Sequence, residues 1–137
     1  EMLRSLVGSE MCIRDRYKYH QDADLVESYL DGVETIGEEK EYMVPSLQES
    51  VSVDKEGILT ITLNNLSVDK NEPVEISFAE CQTKEVTAAI LNNEMHAYNT
   101  FEDPDKVHEE VFSNYTVENG MIRFTMPASS VVQFRVR

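Results

Sequence analysis

"LQESVSVDKEGILTITLNN", Leu47 to Asn65, is the stretch that decides the fold. Leu47, Val51 and Val53 fall on one side of a two-residue period. "DKEG" (Asp54 to Gly57) then supplies a polar turn, after which Leu59, Ile61 and Leu63 alternate with Thr60 and Thr62. Successive side chains of an extended chain point to opposite faces, so this alternation predicts two half-buried strands joined as a hairpin.

The same period recurs toward the C-terminus. "PVEISFA" (73–79) sets Val74, Ile76 and Phe78 opposite Glu75 and Ser77, and "EVTAAIL" (85–91) sets Val86, Ala88 and Ile90 against Thr87, Ala89 and Leu91. "VFSNYTV" (111–117) and "MIRFTM" (121–126) flank "ENG", whose Asn119-Gly120 pair is a strong hairpin signal because both residues tolerate positive φ. "SVVQFRV" (130–136) closes the chain with Val132, Phe134 and Val136 on one face. Seven or eight short strands separated by turn signals predict an all-β fold over residues 47–137, an antiparallel β-sandwich of the jelly-roll-like kind. Residues 92–110, "NNEMHAYNTFEDPDKVHEE", are too broken for a regular element and longer than the usual connection.

Toward the N-terminus, "YKYHQDADLVESYL" (17–30) has modest helical spacing at Tyr17, Leu25, Val26 and Tyr29, and it ends at Asp31-Gly32. It predicts the tail of a helix. Residues 31–46 are acidic, contain Gly37 and Pro45, and are expected to be a linker. The first sixteen residues differ in composition: three acidic and three basic side chains cancel, so the whole net charge of -14 lies in the other 121 residues, with 23 acidic side chains against 9 basic. Leu3, Leu6 and Val7 are interrupted by Arg4 and Ser5, which is no secretory signal. "SLVGSEMCIRDR" closely resembles the peptide produced when sequencing-library adapter is translated in frame. Residues 1–16 are therefore expected to be disordered and to pack against nothing.

Composition narrows the function. The 121 residues suit one domain, and no apolar run reaches the roughly 18 to 20 residues of a membrane helix, so no membrane partner is expected. With Cys12 discounted, Cys81 is the remaining thiol, which excludes a disulfide framework and a multi-cysteine zinc site. An acidic surface without a basic stripe argues against nucleic acid. Glu38, Glu39 and Glu41 in the connector, and Glu109 with Glu110, could be paired carboxylates, but neither place offers the rigid, partly buried setting that separates two pKa values. Asp103, Asp105, His108 and Glu109 could meet a cation, yet Pro104 interrupts them where a calcium loop needs a glycine turn. His20, His96 and His108 show no nucleophile-and-base spacing. Asn65-Leu66-Ser67 and Asn114-Tyr115-Thr116 match the glycan acceptor pattern by chance. Neither a catalytic residue, a metal nor a cofactor is expected in this chain.

Three segments carry a family resemblance. "YKYHQDADLV" (17–26) resembles the helix that ends the catalytic barrel in glycoside hydrolase family 51, the α-L-arabinofuranosidases. "HAYNTFEDPDKV" (96–107) is similar to that family's Asn-Thr-Phe-x-x-Pro-Asp-x-Val loop, and "FTMPASSVVQFRV" (124–136) to its final strand. The resemblance covers residues 17–137. It implies a parent enzyme with a (β/α)8 barrel followed by this sandwich, cleaving terminal arabinofuranosyl groups from arabinan and arabinoxylan with retention. It further implies catalytic glutamates on the barrel and not here, a parent that is often multimeric, and a cytoplasmic location. His96, Tyr98 and Asn99 become the substrate-binding candidates. One departure bears on them: the family's loop commonly places a histidine directly before the Asn, whereas Tyr98 stands there and His96 lies two residues earlier. The alternatives are a packed loop pinned by Phe101 and Pro104 with Asn99 bonding the backbone, and, for the domain, a stand-alone structural or carbohydrate-binding module. The latter needs an aromatic platform, and the chain has no Trp.

Overall fold

The computed structural model describes residues 14, 16–38, 43–79, 85–94 and 96–137. Its elements are a 3-10 turn at Lys18–His20 and strands β1 (Asp24–Leu25), β2 (Thr35–Ile36), β3 (Val44–Pro45), β4 (Leu47–Val53), β5 (Leu59–Asn65) and β6 (Glu72–Ser77). They continue with β7 (Val86–Asn92), β8 (Glu109–Val111), β9 (Tyr115–Glu118), β10 (Met121–Met126) and β11 (Ser130–Val136). The β4–β5 hairpin forms as its period requires. The Asp54 carboxylate accepts the N–H groups of Glu56 and Ile58 at 2.9 Å, and Gly57 takes φ +78°, a value that suits a residue without Cβ.

Two antiparallel sheets make the sandwich. One has the order β1-β4-β5-β11-β7-β8 and the other β6-β10-β9, while β2 and β3 pair separately. The chain passes between the sheets at β5–β6, β6–β7, β8–β9 and β10–β11. Ile61 and Leu63, Val132, Phe134 and Val136, and Ile122, Phe124 and Met126 meet across the gap. Phe134 sits at the centre, 4.9 Å from Phe124 and 5.3 Å from Tyr115 between ring centroids, in the tilted and edge-on arrangements aromatic quadrupoles favour. The Tyr115 hydroxyl donates to the Val86 carbonyl at 3.0 Å, so its polar end is satisfied inside the core.

Four readings change. The helix expected over 17–30 ends at His20. Arg16 and Tyr17 are helical and Lys18–His20 tightens to a 3-10 turn, but Gln21 is extended and Asp22 takes φ 57°. Beyond it β1 pairs with β4, the Val26 N–H donates to the Val51 carbonyl, and Val26, Leu30 and Val33 pack on the core. A four-residue apolar stripe offers less than the open edge of β4. The sandwich thus begins well before residue 47. The linker of 31–46 contains the β2–β3 ladder. "VFSNYTV" is two strands, because the chain leaves one sheet after Val111 and enters the other at Tyr115. Finally, Arg16 does pack: it is 5% exposed. Leu3, Leu6, Cys12 and Ile13 lie outside the described residues, as do Glu39, Glu41 and Cys81.

Candidate functional site

The β7–β8 connection holds the sequence-derived candidates and is folded on itself. Asn99 donates from Nδ2 to the Val107 carbonyl at 2.9 Å, and its Oδ1 accepts the Val107 N–H at 2.6 Å. One side chain thereby imitates a backbone pair across eight residues, which leaves its amide committed. The Thr100 N–H donates to the Asp103 carbonyl, and the Thr100 hydroxyl accepts the Asp103 N–H, both at 3.0 Å. Asn93 donates to the Lys106 carbonyl at 2.5 Å and closes the base of the loop. Phe101, at 68% exposed, does not pin it, and Pro104 is exposed too. The backbone bonds of Asn99 and Asn93 do that work. His96 and Tyr98 remain open to solvent, Tyr98 at 56%.

The acidic residues do not converge. His108 contacts the Asp105 carbonyl at 2.6 Å through Nδ1 and Glu110 at 3.2 Å through Nε2. Glu109 turns instead to Arg16, to which it is hydrogen-bonded. Among the described residues no group of three His, Cys, Asp or Glu side chains could hold a metal ion. Glu38 is exposed at a bend. Asn65, the first glycan-pattern residue, is 2% exposed. Its Nδ2 reaches the Lys70 and Pro127 carbonyls at 3.0 Å and the Met126 carbonyl at 3.4 Å, while its Oδ1 accepts the Ser67 N–H at 3.0 Å.

A second polar assembly has no motif to announce it. On the outer face of the six-stranded sheet, Ser52, Thr60, Thr62 and Gln133 are all at most 4% exposed, because residues 16–20 lie over them. His20 bridges two strands, with Nδ1 2.7 Å from Ser52 Oγ and Nε2 2.8 Å from Thr62 Oγ1. Gln133 donates to Thr62 Oγ1 at 2.9 Å, leaving the Thr62 proton for Nε2; this favours the tautomer protonated on Nδ1. Burial holds the His20 pKa below its ordinary value. Gln133 also donates to the Arg16 carbonyl, Asn64 donates to the Tyr17 hydroxyl at 2.7 Å, and the Arg135 guanidinium lies 4.1 Å from the Tyr19 ring centroid. The signal available in the sequence was chemical: strands of a strongly acidic chain carry hydroxyls and amides, not charges, at these outward positions.

The arrangement ties residues 16–20 to the outer side of the six-stranded sheet. A family model described as the α-L-arabinofuranosidase C-terminal domain matches residues 13–130. The chain is 27% identical over 122 residues to an intracellular exo-α-L-arabinofuranosidase of Bacteroides ovatus, covering 88% of this chain and 24% of that protein. Its fold matches a family 51 arabinofuranosidase of Xanthomonas axonopodis pv. citri with a TM-score of 0.69, at 23% identity over 76% of this chain and 21% of that one. It matches a family 51 α-L-arabinofuranosidase of Bifidobacterium longum with a TM-score of 0.67, at 20% identity over the same shares. The chain thus spans about a quarter of the length of the curated relative it matches.

Proposed function

Because the chain belongs to the family of α-L-arabinofuranosidase C-terminal domains, we propose that it is the C-terminal β-sandwich of a longer retaining α-L-arabinofuranosidase. That enzyme removes terminal arabinofuranosyl groups from arabinan and arabinoxylan. Its catalytic glutamates belong to a preceding (β/α)8 barrel, and the sandwich braces that barrel. The observation that carries this reading is the family match over 13–130. The Bacteroides ovatus relative is an intracellular enzyme, which supports a cytoplasmic location for the longer protein.

His96 and Tyr98 are the two loop candidates with side chains open to a sugar, and in this reading they line the rim of the barrel's site. Asn99 shapes their loop and does not itself reach substrate, since both ends of its amide are bonded to Val107. The test is the first anomer released by the longer gene product from an aryl α-L-arabinofuranoside, followed by proton NMR. The α-anomer is expected first. The β-anomer first, or no turnover at all, would refute the assignment.

A further inference from the structure

We propose that His20 is a pH-operated latch: neutral, it holds residues 16–20 on the outer side of the six-stranded sheet, and protonated, it lets them swing off while the sandwich stays folded. The attachment is built to part cleanly. Among the described residues each bond between 16–20 and the sheet uses a side chain. His20 reaches Ser52 and Thr62, Tyr17 accepts from Asn64, and Arg16 meets Gln133 through its carbonyl and Glu109 through its guanidinium. The strand ladder starts later, at Asp24↔Val53, so release breaks no pairing between strands. Asp22 supplies the bend between strip and ladder: it sits at φ 57°, a left-handed value that aspartate tolerates better than most residues, and it follows an extended Gln21.

The proton decides because both ring nitrogens are already committed. Thr62 is fully buried; its Oγ1 accepts from Gln133 at 2.9 Å and gives its one proton to His20 Nε2 at 2.8 Å. A proton added to Nε2 sets donor against donor, and the hydroxyl has to find a new acceptor at a position closed to water. Ser52 Oγ, 2.7 Å from Nδ1, accepts in either state and carries no charge. The charged groups around the ring do not offset a cation there. Its own strip adds Arg16 and Lys18, β11 presents Arg135 against the Tyr19 ring at 4.1 Å, and β4, β5 and β7 present Ser52, Thr60, Thr62 and Thr87. Asp54, 3.7 Å from Arg135, and Glu109 on β8, bonded to Arg16, are engaged by those arginines. Asp22 and Asp24 are exposed, and neither bonds the ring, whose nitrogens both face hydroxyls. A partly buried cation without a partner is costly, and burial already holds the ring toward its neutral form. Once released, His20 returns to its ordinary value of about 6.5. The strip is therefore held above that pH and let go as pH falls below it.

The test is an NMR titration of the His20, Tyr19 and Phe134 ring resonances in the 137-residue chain, from about pH 7.5 to about pH 5. His20 is expected to titrate with a midpoint below the ordinary value of about 6.5. Over the same midpoint the Tyr19 ring should lose the shift it owes to Arg135, while Phe134 keeps its core shift. In His20→Gln the Tyr19 shift should stay constant across the range. A His20 ring that becomes charged while Tyr19 stays against Arg135 would overturn the proposal, and so would a ring still neutral at about pH 5. Loss of the Phe134 core shift at the same midpoint would overturn it too, because the whole sandwich would then be opening. A Tyr19 transition that persists in His20→Gln would assign the switch to another group and has the same effect.

Discussion

Two residues tie the structure together through chemistry that their neighbours in sequence do not reveal. Asn65 bonds three carbonyls and one N–H from inside the protein, joining the end of β5 to the turn between β10 and β11. Asn65→Ala strands those groups and is expected to cost roughly 3 kcal/mol in urea unfolding, within the usual range for buried polar partners left unpaired. Asn65→Asp should cost at least as much, because it replaces a donor with an acceptor facing carbonyls. His20 acts through pH. Its folded pKa is lowered by burial, so the unfolded state takes up the proton first. Its contribution to stability is complete above the ordinary histidine pKa of about 6.5 and is lost as pH falls from there through the lower folded value. The melting temperature of the native chain should therefore fall more between pH 7.5 and 5.5 than that of His20→Gln. Parallel curves would show that His20 is not held neutral by the sheet.

At the scale of elements, the strands were legible wherever turn chemistry and a two-residue period sat side by side. The β9–β10 turn is the clearest case: Asn119 at φ 52° and Gly120 at φ 75° adopt the left-handed conformations that their pairing foretold. Gly120→Ala should cost about 1 kcal/mol through that backbone alone, read as a lower urea midpoint with an unchanged slope. No loss would mean that the turn relaxes to another type. Elsewhere local sequence could not decide. Leu25 and Val26 become extended only because β4, more than twenty residues later, offers them an edge. The break at Phe112–Asn114 follows from a change of sheet, which a continuous apolar period conceals. Thr60, Thr62 and Gln133 read as solvent-facing, yet are buried under residues 16–20. In the β7–β8 loop, Asn99 bonds the backbone of Val107, one of the alternatives the sequence leaves open. The exposure of Phe101 ran against its expected place, because polar side-chain bonds fix that loop without it.

For the whole molecule, opposing forces act on the domain as it stands. Among the described residues no strand pairs with the outer sides of β1 and β8, and Leu25 and Val111 are exposed; open edges recruit other chains. A net charge of -14 keeps copies apart, but only over roughly 8 Å at physiological ionic strength. Sedimentation should find a monomer at low salt and association as salt rises; a monomer throughout would mean that the edges are already blunted. The central claim is that this domain braces an arabinofuranosidase whose chemistry lies in another part of the chain. The most direct test is turnover of an activated aryl α-L-arabinofuranoside by the pure 137-residue chain at high protein concentration, beside the longer gene product. The account predicts turnover by the longer protein and none above background by this chain. Sustained turnover by this chain, abolished by replacing one of its own acidic residues, would contradict it.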